Sequence, residues 1–351
     1  MTESRRVFLR AAAAGLLGGA GLGLANAGCS TATRKQPDPI FKTRGVVLLA
    51  EDLTLADWPE RAKRAGLTTI ALHHQSSPAA ISDFIRSPPG QRFLESCRRL
   101  GLEVEYELHA MKELLPRDLF VKEPLLFRRN DAGERTPDAN LCVHSQPALE
   151  IVAENARVLA ESLRPTTGRY FLWGDDGEPW CRCPRCRELS DSDQALSLAN
   201  WLREVLRGKD PRAQVAHLAY ANTLSPPTQV RPAPGVFLEY APIHRRYDLP
   251  YSLQTKPPDR DGLHLLDANL RLFRPETAQM LEYWLDVSRF SKWKRPAVQL
   301  PWNKEIFLAD VAAYKARGIR HLTTFAAWVD ADYMARFGEP TFIAEYGAGL
   351  D

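Results

Sequence analysis

The chain predicts an α/β fold, a single (β/α)8 TIM barrel, on three observations. Eight short β-rich runs recur from Arg44 onward, most of them are followed by an amphipathic helical stretch, and neither a glycine-rich phosphate fingerprint nor a P-loop follows any of them. The alternation argues for a parallel sheet with crossover helices, and the missing fingerprint argues against the open doubly wound alternative.

Taken in order, Gly45 to Ala50 reads as a first strand, Asp57 to Gly66 as a helix ending on glycine, and Leu67 to His73 as a second strand. Phe93, Leu94, Cys97 and Leu100 share one helical face, which makes Cys97 a core residue, and Gly101 ends that helix before a third strand, Leu102 to Leu108. After a long loop, Leu149 to Leu163 carries a helical apolar stripe and Arg169 to Trp173 is a fourth strand. A second long loop holds most of the cysteines. Helix Ser192 to Arg207 leads to strand Gln214 to Tyr220, and Gly235 to Tyr240 is the sixth strand. The spacing then predicts a helix over Thr277 to Ser288, a short seventh strand over Ala297 to Leu300, a helix over Ile306 to Gly318 and an eighth strand over Ile319 to Ala326.

The 351 residues are 44% hydrophobic and 25% charged with a formal net charge of +3, an ordinary globular composition. Residues 1–28 remove three arginines and one glutamate, so the remainder is nearly neutral. No basic stripe is present for phosphate neutralisation, which speaks against a nucleic-acid partner. Ser4-Arg5-Arg6-Val7-Phe8-Leu9-Arg10 before the apolar run Ala11 to Ala25 has the layout of a twin-arginine signal, too short and glycine-rich for a permanent span. Ala25-Asn26-Ala27 fits a cleavage site, and Ala27-Gly28-Cys29-Ser30 resembles a lipoprotein box. The expected product is an exported domain spanning residues 44–351. It stands either free in the periplasm or on a membrane through a lipid at Cys29, with residues 29–43 as spacer and no other membrane contact.

A barrel places its chemistry on the loops after the strand C-termini. There the sequence offers His73 and His74 after strand two, His109 after strand three, and Trp173-Gly174-Asp175-Asp176-Gly177-Glu178-Pro179-Trp180 after strand four. Tyr220 and Asn222 follow strand five, and Tyr240, His244 and Arg245 follow strand six. Trp302 and Asn303 follow the expected strand seven, and Trp328 follows strand eight. Aromatic faces that stack on sugar rings, with a few polar groups for hydroxyls, make this the inventory of a carbohydrate site. Glycoside hydrolysis needs one acid for the leaving oxygen and a second group at the oxocarbenium-like centre. Asp175 and Asp176 divide these tasks in one account, with Glu178 a spare acid; in the other, Asp175-Asp176-Gly177 is a turn after a strand. The adjacent histidines His73 and His74 point to opposite faces of a strand, which argues for substrate contact or packing rather than a shared metal.

Cys142 and the run Cys181-x-Cys183-x-x-Cys186 supply four sulfurs, either for a structural tetrahedral zinc or for two disulfides, and spacing does not choose between them. Either linkage staples the loop that displays Asp175 and Asp176. No cofactor is expected for catalysis.

Asn140-Leu141-Cys142 with Pro147, the stretch from Gly174 to Cys186, Leu218-Ala219-Tyr220-Ala221, Tyr240-Ala241-Pro242-Ile243-x-Arg245 and Leu281-Glu282-Tyr283-Trp284 together resemble domain of unknown function 4838. That family includes the glycoside hydrolase family 163 endo-β-N-acetylglucosaminidases. The resemblance implies a barrel and a retaining, substrate-assisted hydrolysis of N-acetylglucosamine-containing glycans, in which the 2-acetamido oxygen replaces an enzyme nucleophile. It further implies Asp175 as the acetamide-orienting group and Asp176 as the acid. The expectation is an exported glycoside hydrolase with a glycan or glycoprotein substrate. The alternatives are a hydrolase of another glycan class or a non-catalytic carbohydrate-binding lipoprotein on the same barrel.

Overall fold

Eight parallel strands close a barrel in chain order: β1 (Thr43–Leu49), β2 (Thr69–His73), β3 (Glu103–His109), β4 (Arg169–Trp173), β5 (Gln214–Tyr220), β6 (Val236–Ala241), β7 (Gln279–Glu282) and β8 (His321–Phe325). Closure comes from β8 pairing with β1, Thr43 opposite His321 and Val47 opposite Phe325. The computed structural model describes residues 40–74, 76–255 and 261–351; the signal-like segment, Cys29 and most of the expected spacer lie outside the described residues. No described helix is long and apolar enough to cross a membrane.

The helices are α1 (Trp58–Arg64), α2 (Pro78–Arg86), α3 (Pro88–Leu100), α4 (Met111–Leu114), α5 (Gln146–Ser162), α6 (Asp191–Arg207), α7 (Leu263–Leu270), α8 (Val287–Phe290), α9 (Lys304–Ala316), α10 (Ala331–Phe337) and α11 (Phe342–Gly349). Local chemistry sets their ends. Ser77 and Ser87 cap α2 and α3 before prolines, Gly101 ends α3 at a φ of 65°, and Ser190 with Asp193 forms a capping box on α6. Cys97 is buried on the inner face of α3, as its helical phase predicts.

One stretch departs from the sequence expectation. The segment expected as a helix over Thr277 to Ser288 holds strand β7, and the expected seventh strand at Ala297 to Leu300 is irregular. Met280, Leu281, Trp284 and Leu285 satisfy a helical period, but all four residues of β7 are buried, and a strand covered on both faces carries no alternation to betray it. Around Ala297 to Leu300, side chains replace ladder partners. Val298 N–H donates to Ser291 Oγ at 3.0 Å and Leu300 N–H to the Tyr333 hydroxyl at 3.1 Å.

Strand alternation sorts residues into the barrel interior and the helical shell. On β4, Arg169, Phe171 and Trp173 point inward, as do Phe237, Glu239 and Ala241 on β6 and Gln279, Leu281 and Tyr283 at β7. The lower layer is polar. Arg169 donates to Gln279 Oε1 at 3.1 Å, Gln279 Nε2 donates to Glu107 and Glu239 at 3.2 Å each, and the Arg169 guanidinium lies 3.9 Å from the Phe237 ring centroid. Burial, and for Glu107 also the neighbouring carboxyls Glu239 and Glu105, hold Glu107 and Glu239 well above the usual carboxylate range. The aromatic layer above it forms the floor of the site.

Candidate active site

The upper layer opens into a cavity of about 280 Å³ at the C-terminal mouth of the barrel. His73, His109, Trp173, Tyr220, Tyr283 and Phe325 wall it from β2, β3, β4, β5, β7 and β8, and Trp328 and Trp293 reach in from loops. The histidines pack within the aromatic wall: His109 is edge-on to Trp173 at 5.0 Å and His73 lies 5.8 Å from His109. His73 Nδ1 contacts the Glu107 carbonyl at 2.5 Å, and burial drives its pKa well down, so this ring is neutral. His74 stacks on His73 at 4.7 Å rather than pointing to the opposite face, because the strand ends at His73. Burial lowers the His74 pKa to about 4.

The loop after β4 separates the two adjacent aspartates. Asp176 stands in the cavity with its side chain 67% exposed and its carboxylate 3.8 Å from His109 Nε2. His109 Nδ1 lies 2.7 Å from the Gly174 carbonyl, which turns Nε2 toward Asp176. Asp175 turns away. Its carboxylate is buried against the Arg117 guanidinium at 2.5 Å and accepts the Asn140 N–H at 2.6 Å. The expected role of Asp175 as a group touching substrate is therefore corrected: its carboxylate already holds the loop. The turn alternative is present as well, since Glu178 N–H reaches the Asp175 carbonyl at 3.3 Å and Gly177 has a φ of 64°. Gly174 is needed for a close approach, because a Cβ there would lie 2.7 Å from Asn140 Oδ1 and 2.8 Å from the Trp180 ring.

A second carboxyl in the cavity is Asp286, four residues beyond β7. It caps α8, with Oδ1 accepting from Ser288 Oγ at 2.6 Å and Arg289 N–H at 3.0 Å. Burial raises its pKa against those bonds. Asp176 and Asp286 flank the same phenols. Burial first, then for Tyr220 the Asp176 carboxylate and for Tyr283 the neighbouring phenols Tyr220 and Tyr247, with both carboxylates adding to each, hold Tyr220 and Tyr283 well above their ordinary range, so both hydroxyls stay neutral donors. Sequence reasoning missed Asp286, Tyr283, Ser288 and Trp293 because it placed β7 one element too late. The signal was present in the run Gln279 to Asp286, a strand followed at once by aromatic and acidic residues.

Several other expected contacts lie elsewhere. Tyr240 faces outward, because its neighbours Glu239 and Ala241 take the interior positions, and it is buried beside the Tyr251 hydroxyl at 3.3 Å. Arg245 is buried in ion pairs with Glu282 at 3.2 Å and Asp310 at 2.6 Å. Trp180 is buried under Gly174. Trp302 donates to Glu345 at 3.1 Å and packs on Phe307, and Asn303 caps α9, so neither follows a strand. Asn222 binds the Glu178 carbonyl and Asp191 at 3.1 and 2.8 Å. Glu178 and His244 are exposed and lie outside the cavity lining, and the His244 N–H donates to Asp261 at 2.6 Å. Trp328 does line the cavity, at a φ of 65° and with the Arg295 guanidinium 4.4 Å from its ring centroid.

Beside the loop, Cys142, Cys181, Cys183 and Cys186 converge, buried, with all four sulfurs within 4.8 Å of one another. Cys142 Sγ lies 3.8 Å from both Cys183 Sγ and Cys186 Sγ, well beyond a sulfur–sulfur bond, so no disulfide joins them in this structure.

Among solved structures the chain is similar to a β-galactosidase from Rahnella sp. R3, at 13% identity and a TM-score of 0.53 over 89% of this chain and 57% of that one. A GH42 β-galactosidase from G. stearothermophilus matches at 14% identity and a TM-score of 0.50, over 89% and 57% of the two chains. The likeness is of fold alone, a TIM barrel, and the chain spans a little over half the length of those galactosidases. No curated protein matches it in sequence. The family described as a domain of unknown function, DUF4838, matches residues 41–261, from β1 through β6, and the chain belongs to that family.

Proposed function

We propose that the protein is an exported glycoside hydrolase acting on N-acetylglucosamine-containing glycans. The observation that carries the hydrolase reading is the convergence of Asp176 and Asp286 on one aromatic-walled cavity at the C-terminal mouth of the barrel. The choice of sugar rests on the resemblance of its sequence motifs to the family 163 enzymes. Export by the twin-arginine route, with or without a lipid at Cys29, rests on the N-terminal sequence alone.

In this mechanism a sugar ring lies against the indoles of Trp173 and Trp328. Asp176, open to solvent at the mouth, gives its proton to the glycosidic oxygen as the C–O bond breaks, and the leaving alcohol departs neutral. Asp286 holds the 2-acetamido N–H, so that the acetamide oxygen closes on the anomeric carbon and takes up its developing positive charge. Water then opens that ring and returns a proton to Asp176, with His109 beside it as a second proton-handling group. The tyrosine hydroxyls of the wall donate to sugar oxygens.

The test is product mass spectrometry after incubation with a complex N-glycoprotein and a panel of N-acetylglucosaminides and glucuronides. Release by the wild type, abolished in Asp176→Asn and in Asp286→Asn with binding retained, is the expected result. Release from glucuronides only would keep the hydrolase and replace the sugar. No release from any substrate, with glycan binding intact in all three proteins, would overturn the enzyme in favour of a carbohydrate-binding barrel.

A further inference from the structure

We infer that Cys142, Cys181, Cys183 and Cys186 form a closed tetrahedral zinc site that ties the loop after β3 to the loop after β4. Geometry carries this. A zinc ion bound to four thiolates at about 2.3 Å sets neighbouring sulfurs about 3.8 Å apart, the edge of the tetrahedron. Cys142 lies 3.8 Å from Cys183 and 3.8 Å from Cys186, and no pair among the four exceeds 4.8 Å. A disulfide needs about 2.05 Å. An iron–sulfur cluster needs its thiolates further apart, because an inorganic core stands between them.

The surroundings fit thiolates. Cys181 Sγ accepts the backbone N–H groups of Arg129 at 3.3 Å and Cys183 at 3.4 Å, and His144 Nδ1 lies 3.2 Å from Cys186 Sγ. Such donors offset the excess negative charge of a tetrathiolate centre and orient its ligands. Arg182, Arg185 and Arg187 alternate with the cysteines along the chain and add positive charge. With four protein ligands the coordination sphere is full, so the ion acts structurally and offers no open position to a substrate. Binding replaces four S–H bonds by four Zn–S bonds and releases the thiol protons.

The position explains the use. Long irregular segments follow both strands, and Asn140, two residues before Cys142, both donates to the Asp175 carboxylate and accepts the Asp175 N–H, while its amide reaches the carbonyls of Glu178 and Pro179. One ligand therefore sits at the end of the segment that cradles the Asp175–Asp176 turn, and the other three begin directly after that turn. The ion fixes both sides of the loop that presents Asp176.

The experiment is elemental analysis of the full chain purified without added chelator, together with cobalt substitution of the metal-stripped protein. One zinc per chain, and the visible bands of a tetrahedral cobalt thiolate after substitution, are expected. Cys183→Ser should lower zinc retention after dialysis at least tenfold, whereas Cys97→Ser should keep full occupancy. If Cys183→Ser does not fold, the cobalt spectrum of the wild-type chain decides alone. Two disulfides by peptide mapping, stoichiometric iron in place of zinc, a cobalt spectrum without thiolate bands, or full zinc retention by folded Cys183→Ser would each overturn the site.

Discussion

Two adjacent aspartates with opposite environments show how much a single peptide step decides. Asp175 is buried against Arg117, while Asp176 reaches the cavity. Replacing Asp175 by Asn removes the anion and leaves the Arg117 guanidinium, 20% exposed, without its charge partner. The expected loss is about 2 kcal/mol, below the range for a fully buried pair because water still screens the arginine. Urea unfolding should show that loss with turnover reduced far less than in Asp176→Asn. Equal loss of turnover in both variants would return Asp175 to the chemistry. Asp286 gives the second prediction at this scale. Burial raises its pKa, so its carboxylate form is lost as pH falls through a value above the ordinary Asp range. If the ionised form holds the acetamide, the acidic limb of the kcat/KM profile lies above that range, and a limb at the usual Asp value would remove Asp286 from the role.

At the scale of the element, the interior layer beneath the site is the least forgiving part of the barrel. Arg169 on β4 is the cation for Glu105, Glu107 and Glu239, which come from β3 and β6, and Gln279 of β7 joins them by hydrogen bonds. Glu239 also accepts the Trp173 indole N–H at 2.8 Å, which links this layer to the wall of the cavity. Arg169→Met leaves three buried carboxyls without a cation and should cost about 3–5 kcal/mol, since removing one partner of a buried ionic group strands the others. Thermal unfolding should show the drop at neutral pH and a smaller one in acid, where those carboxyls are neutral in both the folded and the unfolded chain. An equal drop at both pH values would assign the cost to lost packing on Phe237. Buried polar networks on both faces of β7, the interior layer around Gln279 and the outer one where Glu282 meets Arg245 and Tyr314, explain why β7 was misplaced by sequence. Its polar residues Gln279 and Glu282 are buried inside ionic networks, so the run shows neither strand alternation nor a polar face.

At the scale of the whole molecule, closure depends on the last helix. Tyr346 of α11 donates to the Gly45 carbonyl at 2.7 Å, fastening the C-terminus to β1, the strand that β8 must reach to shut the barrel. Phe342, Ile343, Tyr346 and Leu350 are buried. Each contributes about 1.5–3 kcal/mol of burial, a sum comparable with the whole stability of a domain. A chain ending before Phe342 should lose cooperative thermal unfolding and expose apolar surface to a hydrophobic dye, and a cooperative transition near the wild-type temperature would refute this dependence.

Much of the architecture was legible along the chain because it is local. Strands β4 and β5 begin and end where composition and turn residues place them, Gly101 closes α3, and the mouth of the barrel could be searched once strand ends were known. His73, His109, Trp173, Asp176, Tyr220 and Trp328 reach the cavity for that reason. Residues whose role depends on which face of a strand they occupy, or on a partner far along the chain, were not legible. Tyr240 is outward by one step of alternation, Arg245 is claimed by Asp310 sixty-five positions away, and Asp175 is claimed by Arg117 fifty-eight positions away. Asp286 joined Asp176 only when β7 closed beside β8. The sequence by itself determined the barrel, its chemical inventory and the pairing of a carboxylate turn with a cysteine run, since these follow from local periodicity and composition. Only the tertiary structure decided which carboxyls share a cavity and which cysteines meet, because a charge buried against a distant partner is no longer free to act on a ligand.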